Sequence, residues 1–134
     1  MTNLGIVVSE FNYDITSMMQ KRAEEHAKFL GANVAEVITV PGAYDIPIAV
    51  KKLIAKKNID AIVALGAIIK GDTDHDQMIG NQLARKLMDL SLEYNKPVGL
   101  GVSGPGQTRA QAMSRIDDYA RRGVEAAVKL SRKI

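Results

Sequence analysis

Residues 60–75 read DAIVALGAIIKGDTDH, and this stretch decides the fold. Its beginning, Asp60–Leu65, is a nearly continuous apolar run, typical of a strand that is covered on both faces. Residues 66–71 contain two glycines and predict a loop. Thr73 then predicts the start of a helix, with Asp76 three residues later completing a pair that resembles a capping box. The stretch therefore predicts a strand, a loop and a helix that begins beside the end of the strand.

The same alternation continues in both directions from this stretch. Further strands are predicted at Leu4–Ser9, Val34–Val40 and Val98–Val102, each followed by apolar residues at helical spacing. Asp45 is expected to cap the second helix, and the last helical segment is expected to break near Ile116–Asp118. Strands that alternate with helices favour right-handed crossovers and a parallel sheet. The expected fold is a three-layer α/β sandwich with a four-stranded parallel sheet of flavodoxin-like topology, in a single domain that takes up the whole chain.

The amino-acid composition argues against several classes of function. With 134 residues, 46% of them apolar and 25% charged, the chain fits one soluble globular domain. The sequence has no cysteine, which excludes disulfides and every thiolate chemistry. A net charge of +3 with only 4% aromatic residues gives nucleic-acid binding little support. The apolar run Leu4–Val8 is too short for a signal sequence or a membrane span, so a cytoplasmic protein without membrane partners is expected.

The carboxyl ends of parallel strands meet at one edge of a sheet, and open α/β folds bind their ligands there. The predicted fold brings four loops to that edge, namely Ser9–Asn12, Pro41–Asp45, Ala67–His75 and Ser103–Gln107. We therefore expect the functional site among these loops.

The third of these loops ends in GDTDH at 71–75 and suggests proton chemistry on an anionic substrate. Backbone amides at a helix amino terminus form an anion site, and His75 lies in the first turn of the same helix. Imidazole is the side chain best suited to proton exchange near neutral pH. The neighbouring acids repel a phosphate, so this interpretation requires an arginine from elsewhere. The alternative is a metal site formed by Asp72, Asp74, His75 and Asp76. It is disfavoured because groups so close together on one helix start cannot all face one ion, and no metal is expected.

Other features leave alternatives open. Phe11 directly follows the first strand and either plugs the core or stacks on a flat heterocycle. The turn at Pro41–Asp45 is either a plain connection or a source of polar groups for a polyol. Residues 99–104 (GLGVSG) match G-x-G-x-x-G, but no full strand precedes them and no helix opens on the last glycine, so a dinucleotide site is rejected. These glycines instead favour the close approach of a ligand or a helix. His26 is expected to be structural.

Three segments together resemble the lumazine synthase family over nearly the whole chain: Phe11-Asn12, residues 41–47 (PGAYDIP) and residues 66–75 (GAIIKGDTDH). The G-x-x-I-x-G-x-T-x-H pattern of the last segment is the most specific part. The short length and the Ser-Gly-Pro-Gly segment resemble the archaeal branch. The resemblance implies condensation of 5-amino-6-ribitylaminouracil with dihydroxybutanone phosphate, giving dimethyl-ribityllumazine, phosphate and water. It implies no cofactor and no metal.

The resemblance also implies a role for each matching residue around the uracil substrate. Phe11 stacks on the pyrimidine ring with Asn12 close by, and His75 moves protons. The ribityl chain is held by Ala43, Tyr44 and Asp45. The ring pocket is lined by Ala67, Ile68 and Ile69.

For the phosphate, the resemblance implies the amides of Asp72 and Thr73 together with Arg115, which supplies the missing cation. It further implies that each site lies between adjacent subunits of a pentamer, or of an assembly of pentamers. Leu100 and Arg115 then reach into the pocket of the neighbour.

Several residues depart from the family pattern. The family often has phenylalanine where Tyr44 and Leu100 stand, glutamate in place of Asp45 and alanine in place of Asp72. After Arg115 the family's lysine has no counterpart in residues 116–119, so no lysine is assigned its role, and Arg122 is left open as a substitute.

Four other functions compete with this interpretation. The archaeal-type riboflavin synthase has a related fold, but the intact stretch Thr73–His75 favours lumazine synthase. A receiver module needs acidic residues where Ser9-Glu10 and Gly66-Ala67 stand, and a flavin carrier would have more aromatic residues. A non-catalytic shell protein would not need His75 and Arg115.

Overall fold

The computed structural model describes residues 1–134, and strands alternate with helices along all of them. The strands are β1 (Asn3–Ser9), β2 (Asn33–Val40), β3 (Ala61–Ile69) and β4 (Val98–Gln107). The helices are α1 (Tyr13–Phe29), α2 (Ile46–Ile54), α3 (His75–Tyr94), α4 (Arg109–Ser114) and α5 (Ile116–Ser131), and a 3-10 turn at Ala43–Asp45 precedes α2. The predicted break in the last helical segment is confirmed, because Arg115 separates α4 from α5.

The four strands form one parallel sheet in the order β2-β1-β3-β4. This order confirms the predicted flavodoxin-like topology. The two central strands are covered on both faces, since Leu4–Ser9 and Ala61–Ile68 are buried throughout. Their unbroken apolar runs in the sequence therefore correctly predicted strands that are covered on both faces.

Two hydrophobic clusters lie on opposite faces of the sheet and give the fold its three layers. Ile6 and Val63 point into the cluster under α1 and α5, whereas Val7 and Ile62 point into the cluster under α2 and α3. This alternation is the period of two that a strand imposes on its side chains. No helix of the chain has an apolar stretch long enough to cross a membrane.

Helix α5 packs directly against β4 because glycines meet at the contact. A Cβ atom on Gly99 would lie 2.0 Å from the carbonyl oxygen of Gly123, and one on Gly123 would lie 3.0 Å from Gly101. Gly99 and Gly101 thus serve the approach of a helix, one of the two alternatives that the sequence left open.

Strands β3 and β4 are longer than the sequence predicted. The expected loops are wrong at residues 66–69 and at Ser103–Gly106, because pairing continues to the pair Ile69 and Gln107, with an irregular step after Ala67. Gly104 and Gly106 both adopt positive φ angles, which accommodate the irregularity. The proline between them is tolerated because β4 is an edge strand and needs no donor on its outer side.

The two predicted N-cap side chains do not form the expected bonds. Helix α3 begins at His75 with Asp74 as its N-cap residue, which forms no side-chain cap bond, and the Thr73 hydroxyl accepts only a 3.5 Å hydrogen bond from the N–H of His75. Asp76 is buried and accepts a 2.9 Å hydrogen bond from the N–H of Gly106 instead, because the later helix start turns it toward β4. Asp45 occupies the N-cap position of α2, but its carboxylate accepts a 3.0 Å bond from the N–H of Gly42.

Candidate functional site

The loops after β1 and β2 are joined by backbone hydrogen bonds at the carboxyl edge of the sheet. The N–H of Glu10 donates to the carbonyl oxygen of Val40 at 2.7 Å, and the N–H of Phe11 donates to that of Pro41 at 3.0 Å. The side chain of Phe11 is 71% exposed beyond this junction. Phe11 therefore does not plug the core, and its ring is free at the edge where a ligand would lie.

Asn12 fixes the loop after β1 to the end of β3. Its backbone is left-handed, with φ 63° and ψ 50°, a conformation that asparagine tolerates better than most residues. Its side-chain amide donates a 3.0 Å hydrogen bond to the carbonyl oxygen of Ala67. The backbone that carries Phe11 is thereby held against both neighbouring strands.

The turn after β2 presents its side chains outward. Tyr44 is 81% exposed, while Ala43 and Asp45 are half-buried. The hydrogen bond from Gly42 holds the carboxylate of Asp45 in place. All three residues also line one end of a groove of about 730 Å³ that runs between α2 and α3. Neither Phe11 nor His75 lines that groove, which therefore lies beside the edge rather than over it.

The segment between β3 and α3 is open to solvent. Residues 71–75 are all exposed, and a Cβ atom on Gly71 would meet nothing within 4 Å. The N–H groups of Asp72 and Thr73 donate no hydrogen bond within the chain. Free, exposed amides directly before a long helix are the arrangement that binds anions.

His75 stands in the first turn of α3 and is exposed. No three acidic or imidazole groups of the chain converge as metal ligands would. Asp76, one of the four residues of the metal alternative, faces Gly106 instead of its acidic neighbours. His75 is thus placed next to the free amides without a competing carboxylate fixed to its ring.

Arg109, the first residue of α4, and Arg115, which directly follows α4, have different partners. Arg109 pairs with Asp14, and this hydrogen bond holds the pKa of the Asp14 carboxyl below its usual range. Arg115 is half-buried and forms no ion pair, and its guanidinium donates a 3.0 Å bond to the side-chain oxygen of Gln107. Of the two, Arg115 is the one with an uncompensated positive charge.

Sequence reasoning missed Gln107 as a functional candidate. Its side chain is fully buried and bonds to Arg115, to the hydroxyl of Ser103 and to the carbonyl oxygen of Ile68. The residue looked like part of a polar loop because β4 was expected to end at Val102. The only available signal was its place directly before the helix-capping Thr108.

Not every predicted residue is brought to this edge within one chain. Leu100 lies in the middle of β4, opposite Ala64, and is 51% exposed. Ala67 and Ile68 are at the edge, but their side chains are buried in the two core clusters, so only their backbones can contact a ligand. Ile69 is half-buried.

Comparison with known proteins identifies the family. The family model described as 6,7-dimethyl-8-ribityllumazine synthase matches residues 1–134. The chain belongs to this family. It is 60% identical over 131 residues to the 6,7-dimethyl-8-ribityllumazine synthase of Archaeoglobus fulgidus, covering 98% of this chain and 91% of the relative.

Two more archaeal lumazine synthases are similarly close. The relative from Metallosphaera sedula is 59% identical over 131 residues, covering 98% of this chain and 87% of its own. That from Methanococcus vannielii is 58% identical over 134 residues, covering 100% of this chain and 95% of its own. Membership in the lumazine synthase family confirms the resemblance drawn from the three sequence segments, including its archaeal character.

Proposed function

We propose that this chain condenses 5-amino-6-ribitylaminouracil with dihydroxybutanone phosphate to form dimethyl-ribityllumazine, phosphate and water. The observation that carries the proposal is the set of free amides at Asp72 and Thr73, directly before the exposed His75. An anion-binding group and a proton-transfer group are thereby adjacent on the same helix start. Lumazine synthesis needs both, because its second substrate loses a phosphate group.

The uracil substrate is proposed to bind against Phe11. The exposed ring supports stacking on a flat heterocycle, and the bond from Asn12 to Ala67 fixes the backbone on which the ring stands. The backbone of Ala67 and Ile68 and the partly exposed Ile69 would border the ring.

The ribityl chain is proposed to extend over the turn after β2. A polyol needs several hydrogen-bonding groups with fixed directions, and the Asp45 carboxylate is oriented by Gly42. The exposed side chain of Tyr44 and the backbone of Ala43 lie in the same turn.

The phosphate is proposed to bind the amides of Asp72 and Thr73 together with a guanidinium from Arg115. A planar guanidinium can contact two phosphate oxygens at once, and it offsets the repulsion from the acids of residues 72–76. Arg115 suits this role because no carboxylate of its own chain neutralises it.

His75 is proposed to move protons in three steps. The substrate amine attacks the ketone carbonyl, and the oxygen leaves as water when an imine forms. Loss of a carbon-bound proton next to the imine then expels phosphate and leaves an enol, which tautomerises to a second ketone. Attack of the second amine on that ketone closes the ring, and its oxygen leaves as a second water. An imidazole can accept and return the protons in these steps. The remaining acceleration comes from holding both substrates in contact.

The site is proposed to be shared between subunits of a ring, a pentamer or an assembly of pentamers. Exposed apolar residues lie in separate places: Ile48 and Met78 on the α2–α3 groove, and Leu100 on β4 and Met113 on α4. Two different surfaces of one chain that fit each other form a head-to-tail contact, which gives a ring when the rotation between subunits closes. Such a contact would bring Leu100 of one subunit beside the edge of the next.

The test is product formation from purified protein and both substrates in excess chelator, without added cofactor. We expect a fluorescent lumazine to appear together with an equal amount of phosphate. The lumazine alone should yield no riboflavin, which separates this activity from riboflavin synthase. Absence of any lumazine above the uncatalysed rate would contradict the proposal and favour the non-catalytic shell protein.

A further inference from the structure

The buried amide of Gln107 is oriented unambiguously by its partners. Its nitrogen donates to the Ile68 carbonyl oxygen at 3.3 Å and to the Ser103 hydroxyl at 2.9 Å. Its oxygen accepts from the Arg115 guanidinium at 3.0 Å. A reversed amide would place its oxygen against a carbonyl oxygen and its nitrogen against the cationic donor, so this orientation is the only one that satisfies every group.

We infer that Gln107 is a positioning residue for the phosphate step, acting through Arg115; this inference rests on the proposed function. The amide oxygen holds one nitrogen of the guanidinium and leaves the others free. Because the amide is neutral, it orients Arg115 without cancelling its charge. Arg109 shows the contrasting arrangement, since Asp14 both holds it and neutralises it.

The backbone around Gln107 also connects Arg115 to the start of α3 in the same chain. The carbonyl oxygen of Gln107 accepts a 2.8 Å bond from the N–H of Lys70, at the start of the segment with the free amides. The preceding residue, Gly106, donates to Asp76 in the first turn of α3. The end of β4 is thus fixed to the segment that carries His75, and the side chain of Gln107 extends the same connection to Arg115.

Two substitutions separate the role of the amide from that of the packing. Gln107→Glu keeps the size but places a carboxylate beside Arg115, which would cancel its charge. Gln107→Met keeps the length and removes the acceptor. Gln20→Glu and Gln20→Met, on the partly exposed surface of α1, are the matched controls.

The readouts are the KM for dihydroxybutanone phosphate, the inhibition constant of inorganic phosphate, the KM for the uracil substrate, and kcat. At pH 7.5 we expect Gln107→Glu to raise the KM for dihydroxybutanone phosphate and the inhibition constant of inorganic phosphate about tenfold or more, as loss of a charge-assisted contact would. The KM for the uracil substrate should change less than about twofold, and Gln107→Met should give a smaller rise in the two phosphate constants. For Gln107→Glu alone, the ratio of each of these two phosphate constants to its wild-type value should fall as the pH is lowered and the new carboxyl is protonated.

The outcomes are distinct. Unchanged phosphate inhibition in a folded Gln107→Glu or Gln107→Met protein overturns the inference, as does an equal rise in the KM of both substrates together with a lower melting temperature. If Gln107→Glu does not fold, Gln107→Met decides by the same criteria. If wild-type protein forms no lumazine, the proposed function fails, while calorimetric binding of inorganic phosphate to wild type and variants still decides the role of Gln107.

Discussion

The side-chain amide of Asn12 donates a 3.0 Å hydrogen bond to the carbonyl oxygen of Ala67, so the loop that carries Phe11 is fixed to the end of the neighbouring central strand. Strands β1 and β3 already pair along Leu4–Val8. The Asn12 bond extends their connection past the last ladder pair, to the point where the substrate ring is proposed to lie. The position of the exposed Phe11 ring is thus a consequence of sheet order.

Because of this contact, we expect replacement by glycine to affect stability differently at the two asparagines that have a left-handed backbone. Asn12 and Asn95 have φ angles of 63° and 55°, and glycine tolerates both. Only Asn12 loses a side-chain hydrogen bond, so Asn12→Gly should lower the free energy of unfolding by about 1 kcal/mol more than Asn95→Gly does. Urea unfolding at matched protein concentration measures the difference. Asn12→Gly should also lower kcat/KM severalfold, and equal effects of the two substitutions on stability would contradict this account.

Gly80 should not accept alanine although it lies inside a helix. Alanine normally stabilises a helix relative to glycine by about 1 kcal/mol. Here the new Cβ atom would lie 2.6 Å from Cδ of Pro105, and overpacking of that kind costs about 1–3 kcal/mol. We expect Gly80→Ala to lower the melting temperature, whereas Gly71→Ala, with nothing within 4 Å, should leave it nearly unchanged. A more stable Gly80→Ala protein would show that Pro105 and α3 are not in contact.

Replacement of His75 should slow turnover without abolishing it. General acid–base groups contribute about a hundredfold or more, but the condensation has intrinsic reactivity and positioning remains intact. We expect His75→Ala to reduce kcat by about ten- to a hundredfold, with the KM for dihydroxybutanone phosphate within about threefold of wild type. His26→Asn is the control, because His26 belongs to α1 and bonds to Glu125 of α5. A normal kcat in His75→Ala would remove the imidazole from the mechanism.

The contact between His26 and Glu125 predicts a pH-dependent part of the stability. The hydrogen bond from His26, followed by the charge of Lys129, lowers the pKa of the Glu125 carboxyl in the folded chain. A lowered folded pKa stabilises the protein above the unfolded pKa and loses that effect as the pH falls through the acid range, below about 5. The difference in unfolding free energy between wild type and Glu125→Gln should therefore be largest near pH 7 and shrink toward pH 3. A difference for Glu125→Gln that widens in acid would contradict the assignment.

The fold was predictable from the sequence because the apolar composition of β1 and β3 indicates that these strands lie in the centre of the sheet. Leu4–Ser9 and Asp60–Leu65 are apolar without alternation, and only burial on both faces explains such runs. The ends of β3 and β4 were not predictable in the same way. A local sequence pattern with Gly104, Pro105 and Gly106 predicts a loop. These residues instead belong to an edge strand because β4 pairs with β3, more than thirty residues away in the chain.

The candidate site was predictable where the chemistry is local and not where it depends on long-range contacts. The free amides and His75 follow from one helix start, and Phe11 from its place after β1. Asp76 looked like a cap or a metal ligand, and its true partner is the amide of Gly106 in another strand. Gln107 has the same character, since its side chain joins residues of β3, β4 and the α4–α5 junction.

The most direct test of the central claim is a crystal structure of the protein soaked with inorganic phosphate and 5-amino-6-ribitylaminouracil. We predict the phosphate on the amides of Asp72 and Thr73, next to His75, and the pyrimidine ring stacked on Phe11. An arginine at position 115, from the same or a neighbouring subunit, should contact the phosphate. A uracil bound away from Phe11, or a phosphate that leaves those two amides empty, would contradict the account.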